Sequence, residues 1–227
     1  MDDWTQPSYL ALARNPALLD EYRARKAAWL AANEPLCAAW DEALAEEQRR
    51  AWALQEAAQR VFALRNAGLP QRAIEAWQAG LRPTKGVEAV RTFVASGKTF
   101  LLLLGSPGCG KTVATAEALT RGGCFFRAIE LARLSSFDKE DRATFQDAAH
   151  IRTLVLDDLG AELLHDGWRP MLDELVDIRY GNRAQTVITS NLDAKAFKER
   201  YGERIADRVR HDGFIVTCGD KSERRQP

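Results

Sequence analysis

Apolar positions follow two patterns along the chain. Up to residue 80 they recur at helical spacing. From Pro16 the stretch PALLDEYRARKAAWLAA carries Leu18, Leu19, Tyr22, Ala28 and Trp29 between charged residues. Asn15-Pro16 supplies a cap and a residue suited to the first helical position. Glu34-Pro35 opens a longer helix toward Asn66, in which Leu36, Trp40, Leu44, Ala51, Leu54, Ala58, Val61 and Phe62 step mostly by three, four or seven. Gly68 and Pro70 end it, and QRAIEAWQAGL adds a third helical segment that closes near Gly80. From about residue 83, short β-rich apolar runs alternate with helical stretches. The runs are Thr99–Leu104, Cys124–Ile129, Thr153–Leu156, Thr186–Thr189 and Phe214–Cys218. The helical stretches are Lys111–Thr120, Glu130–Leu134, Phe145–Ala149, Pro170–Tyr180 and Ala194–Arg210. This alternation predicts an α/β core, a parallel five-stranded sheet flanked by helices, after an all-α N-terminal region. The expected domains are residues 1–80 and 81–227, with no full C-terminal lid.

Composition narrows the function classes. In 227 residues, 32 Lys+Arg balance 32 Asp+Glu, which argues against a monomer that grips nucleic acid tightly on its own. The start of the chain lacks the basic and apolar regions of a secretory signal, and no apolar run is long enough to span a bilayer. Cys37, Cys109, Cys124 and Cys218 are scattered with no CxxC pair, the pattern of free thiols in a reducing cytoplasm. Trp4, Trp29, Trp40, Trp52 and Trp77 all lie in the N-terminal part. They are expected either as core anchors of a helical hairpin or as a docking face.

Candidate chemistry gathers in the second part. Gly105, Ser106, Pro107, Gly108, Cys109, Gly110, Lys111 and Thr112 fit G-x-x-x-x-G-K-[ST] between an apolar strand and a helix. Such a loop turns backbone N–H groups toward phosphate oxygens. Lys111 pairs with the β- and γ-phosphates of ATP, and Thr112 ligates Mg²⁺. The strand Thr153-Leu-Val-Leu ends in Asp157 and Asp158; the first acid is assigned to the metal and the second to the attacking water. Val187-Ile-Thr-Ser-Asn191 is another apolar strand with a polar end, and ligands sit at the carboxyl ends of parallel strands, so Asn191 is a candidate for the water or the γ-phosphate.

Taken together, residues 68–225 resemble the helicase-loader family of AAA+ ATPases, the DnaC proteins, and the related IstB transposition helpers. The resemblance rests on Ala67-Gly-Leu-Pro-Gln-Arg72, the phosphate loop, Leu156-Asp-Asp-Leu-Gly160, Asp177-Ile-Arg-Tyr180, Thr189-Ser-Asn-Leu192, Gly202-Glu-Arg-Ile-Ala-Asp-Arg208 and Ser222-Glu-Arg224. It implies that Lys111 and Thr112 are Walker A, Asp157 and Asp158 Walker B, and Asn191 sensor 1. It also implies that Arg208 is an arginine finger acting on a neighbouring subunit's ATP, and that Arg224 makes a sensor-2-like contact. Two positions depart from the family pattern, Cys109 where Thr is usual and Glu223 where Tyr is usual, and Asp158 stands where many ATPases of this kind have Glu.

The leading expectation is an ATP-hydrolysing helicase loader in DNA replication. Its N-terminal helices bind a replicative helicase, and its core self-associates around single-stranded DNA, with Arg133, Lys139 and Arg142 as candidate contacts. One alternative is an IstB-like transposition helper acting on duplex DNA with a transposase. The other is a nucleotide-gated interaction protein with negligible hydrolysis.

Overall fold

A computed structural model describes residues 15–135, 138–163 and 165–219. Trp4 and Arg224 lie outside these residues. Asn15 caps the first described helix, α1 (Pro16–Ala32), by accepting from the Leu18 N–H at 3.3 Å. The long helix α2 (Glu34–Asn66) follows. The chain divides into two compact units, up to Glu56 and from Ala57 onward, and the division falls within α2.

In the first unit, Trp29 is 44% exposed and Trp40 and Trp52 are 73% and 72% exposed. The core-anchor alternative therefore fails for these three. The helix α1 buries none of its own residues.

From Ala57 the chain joins the sheet. Leu64, Ala67, Leu69, Ala73 and Ile74 are buried in one apolar cluster with Leu101 and Leu103. Gly68 turns the chain at φ 83°, and the Ala67 carbonyl accepts from the Phe125 N–H at 2.7 Å. The short helix α3 (Gln71–Gln78) buries Ala73 and Ile74. Residues 57–80, grouped by pattern with the N-terminal helices, thus pack in the unit that holds the sheet. The next helix, α4 (Lys85–Ser96), was not expected from the sequence; Thr84 caps it by accepting from Val87 N–H. Its Val87, Val90 and Phe93 do recur at helical spacing, but the stretch merges with the approach to the first strand.

The five strands are β1 (Phe100–Leu104), β2 (Cys124–Arg127), β3 (Thr153–Asp157), β4 (Gln185–Ser190) and β5 (Gly213–Thr217). All pairs are parallel, in the order β2-β3-β4-β1-β5. Every residue of β1 and β3 is buried, as a strand covered on both faces requires. Alternation then sorts β1: Phe100, Leu102 and Leu104 enter one apolar cluster, and Leu101 and Leu103 the other.

Helices α5 (Lys111–Ala114) and α6 (Ala116–Leu119) follow β1, separated by Thr115. After β2 come α7 (Ala128–Leu131) and α8 (Lys139–His150), and after β3 comes α9 (Trp168–Gly181). The expected helix Ala194–Arg210 is two helices, α10 (Ala194–Tyr201) and α11 (Glu203–His211), because Gly202 breaks it at φ 85°.

One buried charge ties α9 to the sheet. Arg179 is fully buried and donates to the Thr186 hydroxyl at 2.7 Å and to the carbonyls of Ala148, Ile151 and Gln185 at 2.8, 2.9 and 2.6 Å. Burial lowers its guanidinium to about 10. Each of these carbonyls closes a helix end or strand start, so one side chain satisfies several otherwise orphaned acceptors.

Candidate functional site

The site lies at the carboxyl ends of β1, β3 and β4. Register explains how it assembles. Leu104 pairs with Ser190, and Leu156 pairs with Ile188, so the residues that follow these strands emerge side by side. The loop after β1 needs its glycines. Gly105 has φ 149°, and a Cβ there would meet the Cys218 carbonyl oxygen at 2.7 Å. Gly110 has φ 85° and precedes α5 directly.

Lys111, Thr112, Asp157, Asp158 and Asn191 line a single cavity of about 440 Å³, together with Pro107, Gly108 and Gly110. Gly105, Ser106 and Cys109 are not in its wall. Gly105 and Ser106 instead accept from Lys111 Nζ through their carbonyls, at 2.7 and 3.0 Å. Lys111 is 7% exposed and also donates to Asn191 Oδ1 at 2.9 Å. Asn191 in turn donates from Nδ2 to Asp158 Oδ1 at 2.5 Å. The asparagine thus bridges the cation of the loop and the second acid.

The first acid has a different environment. Asp157 accepts from Thr112 Oγ1 at 3.0 and 3.1 Å and from Thr189 Oγ1 at 2.7 Å. Burial pushes its carboxyl above the ordinary value, and the Thr189 and Thr112 hydroxyls offset part of that rise. Thr189 was not singled out from the sequence. It is 1% exposed, and its hydroxyl also accepts from the Asp158 N–H at 2.9 Å, so it fixes both acids. Its signal was its position in β4, one residue past the Leu156–Ile188 pair.

Asp158 has φ 59°, a left-handed conformation that Asp tolerates better than longer acids do.

A hydroxyl and a carboxylate suit a Mg²⁺ site. Thr112 and Asp157 offer adjacent hard oxygens, which suits a cation that takes one or two protein ligands beside phosphate and water. Among the described residues no group of three or more His, Cys, Asp or Glu is placed to hold a metal. The residues therefore fit Mg²⁺ as a companion of bound phosphate.

A second cavity, of about 400 Å³, adjoins the first and was missed from the sequence. Ala79, Leu81 and Val87 line it, and it shares Ala76, Gly110 and Val113 with the first cavity.

Arg208 does not reach this cavity. On α11 its guanidinium pairs with the Asp177 carboxylate and lies 5.7 Å from the centroid of the Tyr180 ring. Arg204 pairs with the same aspartate. The Asp177-Ile-Arg-Tyr180 segment thus supports the arginine helix from below, while its Arg179 pins the sheet. Arg133, Lys139 and Arg142 are exposed, with Glu140 and Asp141 interleaved.

The family of IstB-like ATP binding proteins matches residues 38–227. A putative insertion sequence ATP-binding protein, y4pL, of Sinorhizobium fredii is 37% identical over 81 residues, 34% of this chain and 33% of that protein. The replicative helicase loader DnaC of Buchnera aphidicola is 27% identical over 135 residues, 54% of this chain and 52% of that protein. The chain thus spans a third and about half of these curated relatives. The crystal structure of the DnaC helicase loader is similar with 28% identity and a TM-score of 0.51, covering 57% of this chain and 86% of that one.

Proposed function

The chain belongs to the IstB-like ATP-binding family of AAA+ ATPases, and we propose that it is an ATP-hydrolysing transposition helper that acts on DNA with a transposase. The observation that carries the ATPase reading is the single cavity lined by Lys111, Thr112, Asp157, Asp158 and Asn191. The helper reading is supported by the family match over residues 38–227 and by the likeness to an insertion sequence ATP-binding protein. This reverses the order expected from the sequence, where the helicase loader came first. Loading a helicase is the second reading, supported by the likeness to DnaC.

In the proposed mechanism the adenine base occupies the apolar cavity beside Leu81 and Val87. The phosphates lie along the loop, where N–H groups of Gly108 to Lys111 donate to their oxygens. Lys111 exchanges its carbonyl partners for phosphate. Thr112 and Asp157 would hold Mg²⁺, which would supply charge neutralisation to the phosphate oxygens. Asp158 and Asn191 orient the attacking water, and Asp158 accepts its proton. Positioning and charge stabilisation do most of the work in such a transfer. Arg208 of one subunit serves the site of the next after leaving Asp177. DNA contacts are shared among subunits and include Arg133, Lys139 and Arg142.

Partner contact is assigned to the exposed apolar residues of α2, of which Trp40 and Trp52 are the largest. A pull-down with transposase and replicative helicase as baits tests the reading. The full chain should retain the transposase, and Trp40→Ser/Trp52→Ser should lose it while hydrolysing ATP normally. Capture of the helicase alone would reverse the two readings.

A further inference from the structure

Two free cysteines meet directly beneath the phosphate loop. The β1–β5 register pairs Leu104 with Thr217, and this sets Cys218 beside Gly105. The Cys218 N–H confirms the approach by donating to the Leu104 carbonyl at 2.7 Å. The loop then folds back, so that Cys109 Sγ and the Cys218 carbonyl oxygen lie 3.2 and 2.7 Å from the point a Gly105 Cβ would occupy. The two residues belong to one apolar cluster, where Cys109 is 5% and Cys218 2% exposed. Their chemical surroundings differ. Lys111 Nζ lies 3.6 Å from Cys109 Sγ. Burial pushes the Cys218 thiol up to about 11, so it stays protonated.

We propose that Cys109 and Cys218 form a modification site, a thiol pair that a hydroperoxide oxidises to a disulfide that shuts the phosphate loop. The Cys109 sulfur attacks one peroxide oxygen and gives up its thiol proton, so that a sulfur–oxygen bond forms and the oxygen–oxygen bond breaks. The leaving oxygen takes a proton and departs as an alcohol, or as water from hydrogen peroxide. Cys218 then attacks the Cys109 sulfenic sulfur. The sulfur–sulfur bond forms, the sulfur–oxygen bond breaks, and the hydroxyl leaves as water with the Cys218 proton. Two thiols are oxidised by two electrons and one peroxide is reduced. A dithiol reductant reverses the change.

The bond ties the loop to the end of β5. Lys111 is then held where its Nζ is taken up by Gly105, Ser106 and Asn191, and it cannot turn to phosphate. The inference about nucleotide rests on the ATP-binding reading; the disulfide itself does not.

The test treats the full chain with hydrogen peroxide, maps its peptides by mass spectrometry without reduction, and measures binding of a fluorescent ATP analogue in parallel. A Cys109–Cys218 linked peptide should appear as ATP binding is lost, and dithiothreitol should restore both. Cys218→Ser should bind the analogue normally and keep binding it after a peroxide dose that silences the wild type. Absence of the linked peptide, or equal silencing of Cys218→Ser, would overturn the proposal. A linked peptide in a protein that never bound the analogue would instead overturn the ATP reading and leave the thiol pair standing.

Discussion

Lys111 and Asp157 place opposite demands on the site. Lys111 is a buried cation satisfied by two carbonyls and an amide oxygen, and among the described residues no acid pairs with it. Such an arrangement keeps its charge available for a phosphate that arrives with charge of its own. Asp157 is a buried carboxylate that relies on two hydroxyls, and its carboxyl is raised by burial above 3.8. A carboxyl raised in the folded chain favours the fold below its unfolded value, and that benefit is lost as pH rises through the folded value. Asp157→Asn removes the ionisation and keeps an oxygen for both threonines. In thermal melts without nucleotide it should raise Tm at pH 7, and the gain should shrink as pH falls toward 3.8. A variant with lower Tm at pH 7 would contradict the assignment of cost to the buried charge. The same substitution should lower hydrolysis by about a hundredfold or more, since it removes the metal ligand. These residues were legible in the sequence because a strand, a glycine loop and a polar strand end announce them. Thr189 was not, because nothing in a run of Val-Ile-Thr-Ser says which hydroxyl faces the neighbouring acid. That is decided by the pairing of β3 with β4.

At the scale of elements, α11 is held back from the site that its arginine is proposed to serve. Arg208 is paired with Asp177 and stacked on Tyr180, and Tyr180 is itself fixed by a 2.9 Å contact from its hydroxyl to His211 Nδ1. A finger acting across subunits must exchange Asp177 for a neighbour's phosphate, so assembly and pairing compete. Arg208→Ala should keep ATP affinity and lose hydrolysis. Mixed with Lys111→Ala subunits, which lack a working site but retain Arg208, it should recover activity. A mixture as inactive as its two components would count against action in trans. The sequence pattern located all five strands within two residues of their ends and missed α4. It merged α10 with α11 because a single glycine inside an amphipathic run does not reveal its φ.

For the whole molecule, the formal charge of zero and the two compact units point the same way. The unit that carries the ATP site has its own core, to which the end of α2 and α3 contribute. The sequence division at residue 80 follows helical periodicity, whereas packing depends on which helical residues find an apolar surface. Leu64 and Ile74 find one and are buried, while Trp40 and Trp52 remain exposed. A neutral chain gains DNA affinity by summing modest contacts over several copies, so DNA binding should depend on nucleotide through assembly. The most direct measurement is fluorescence anisotropy of labelled duplex and single-stranded oligonucleotides, with and without a non-hydrolysable ATP analogue. The account predicts that the analogue strengthens binding to duplex more than to single strands, and that Lys111→Ala shows no strengthening. Binding that ignores nucleotide, or that favours single strands once nucleotide is bound, would contradict it.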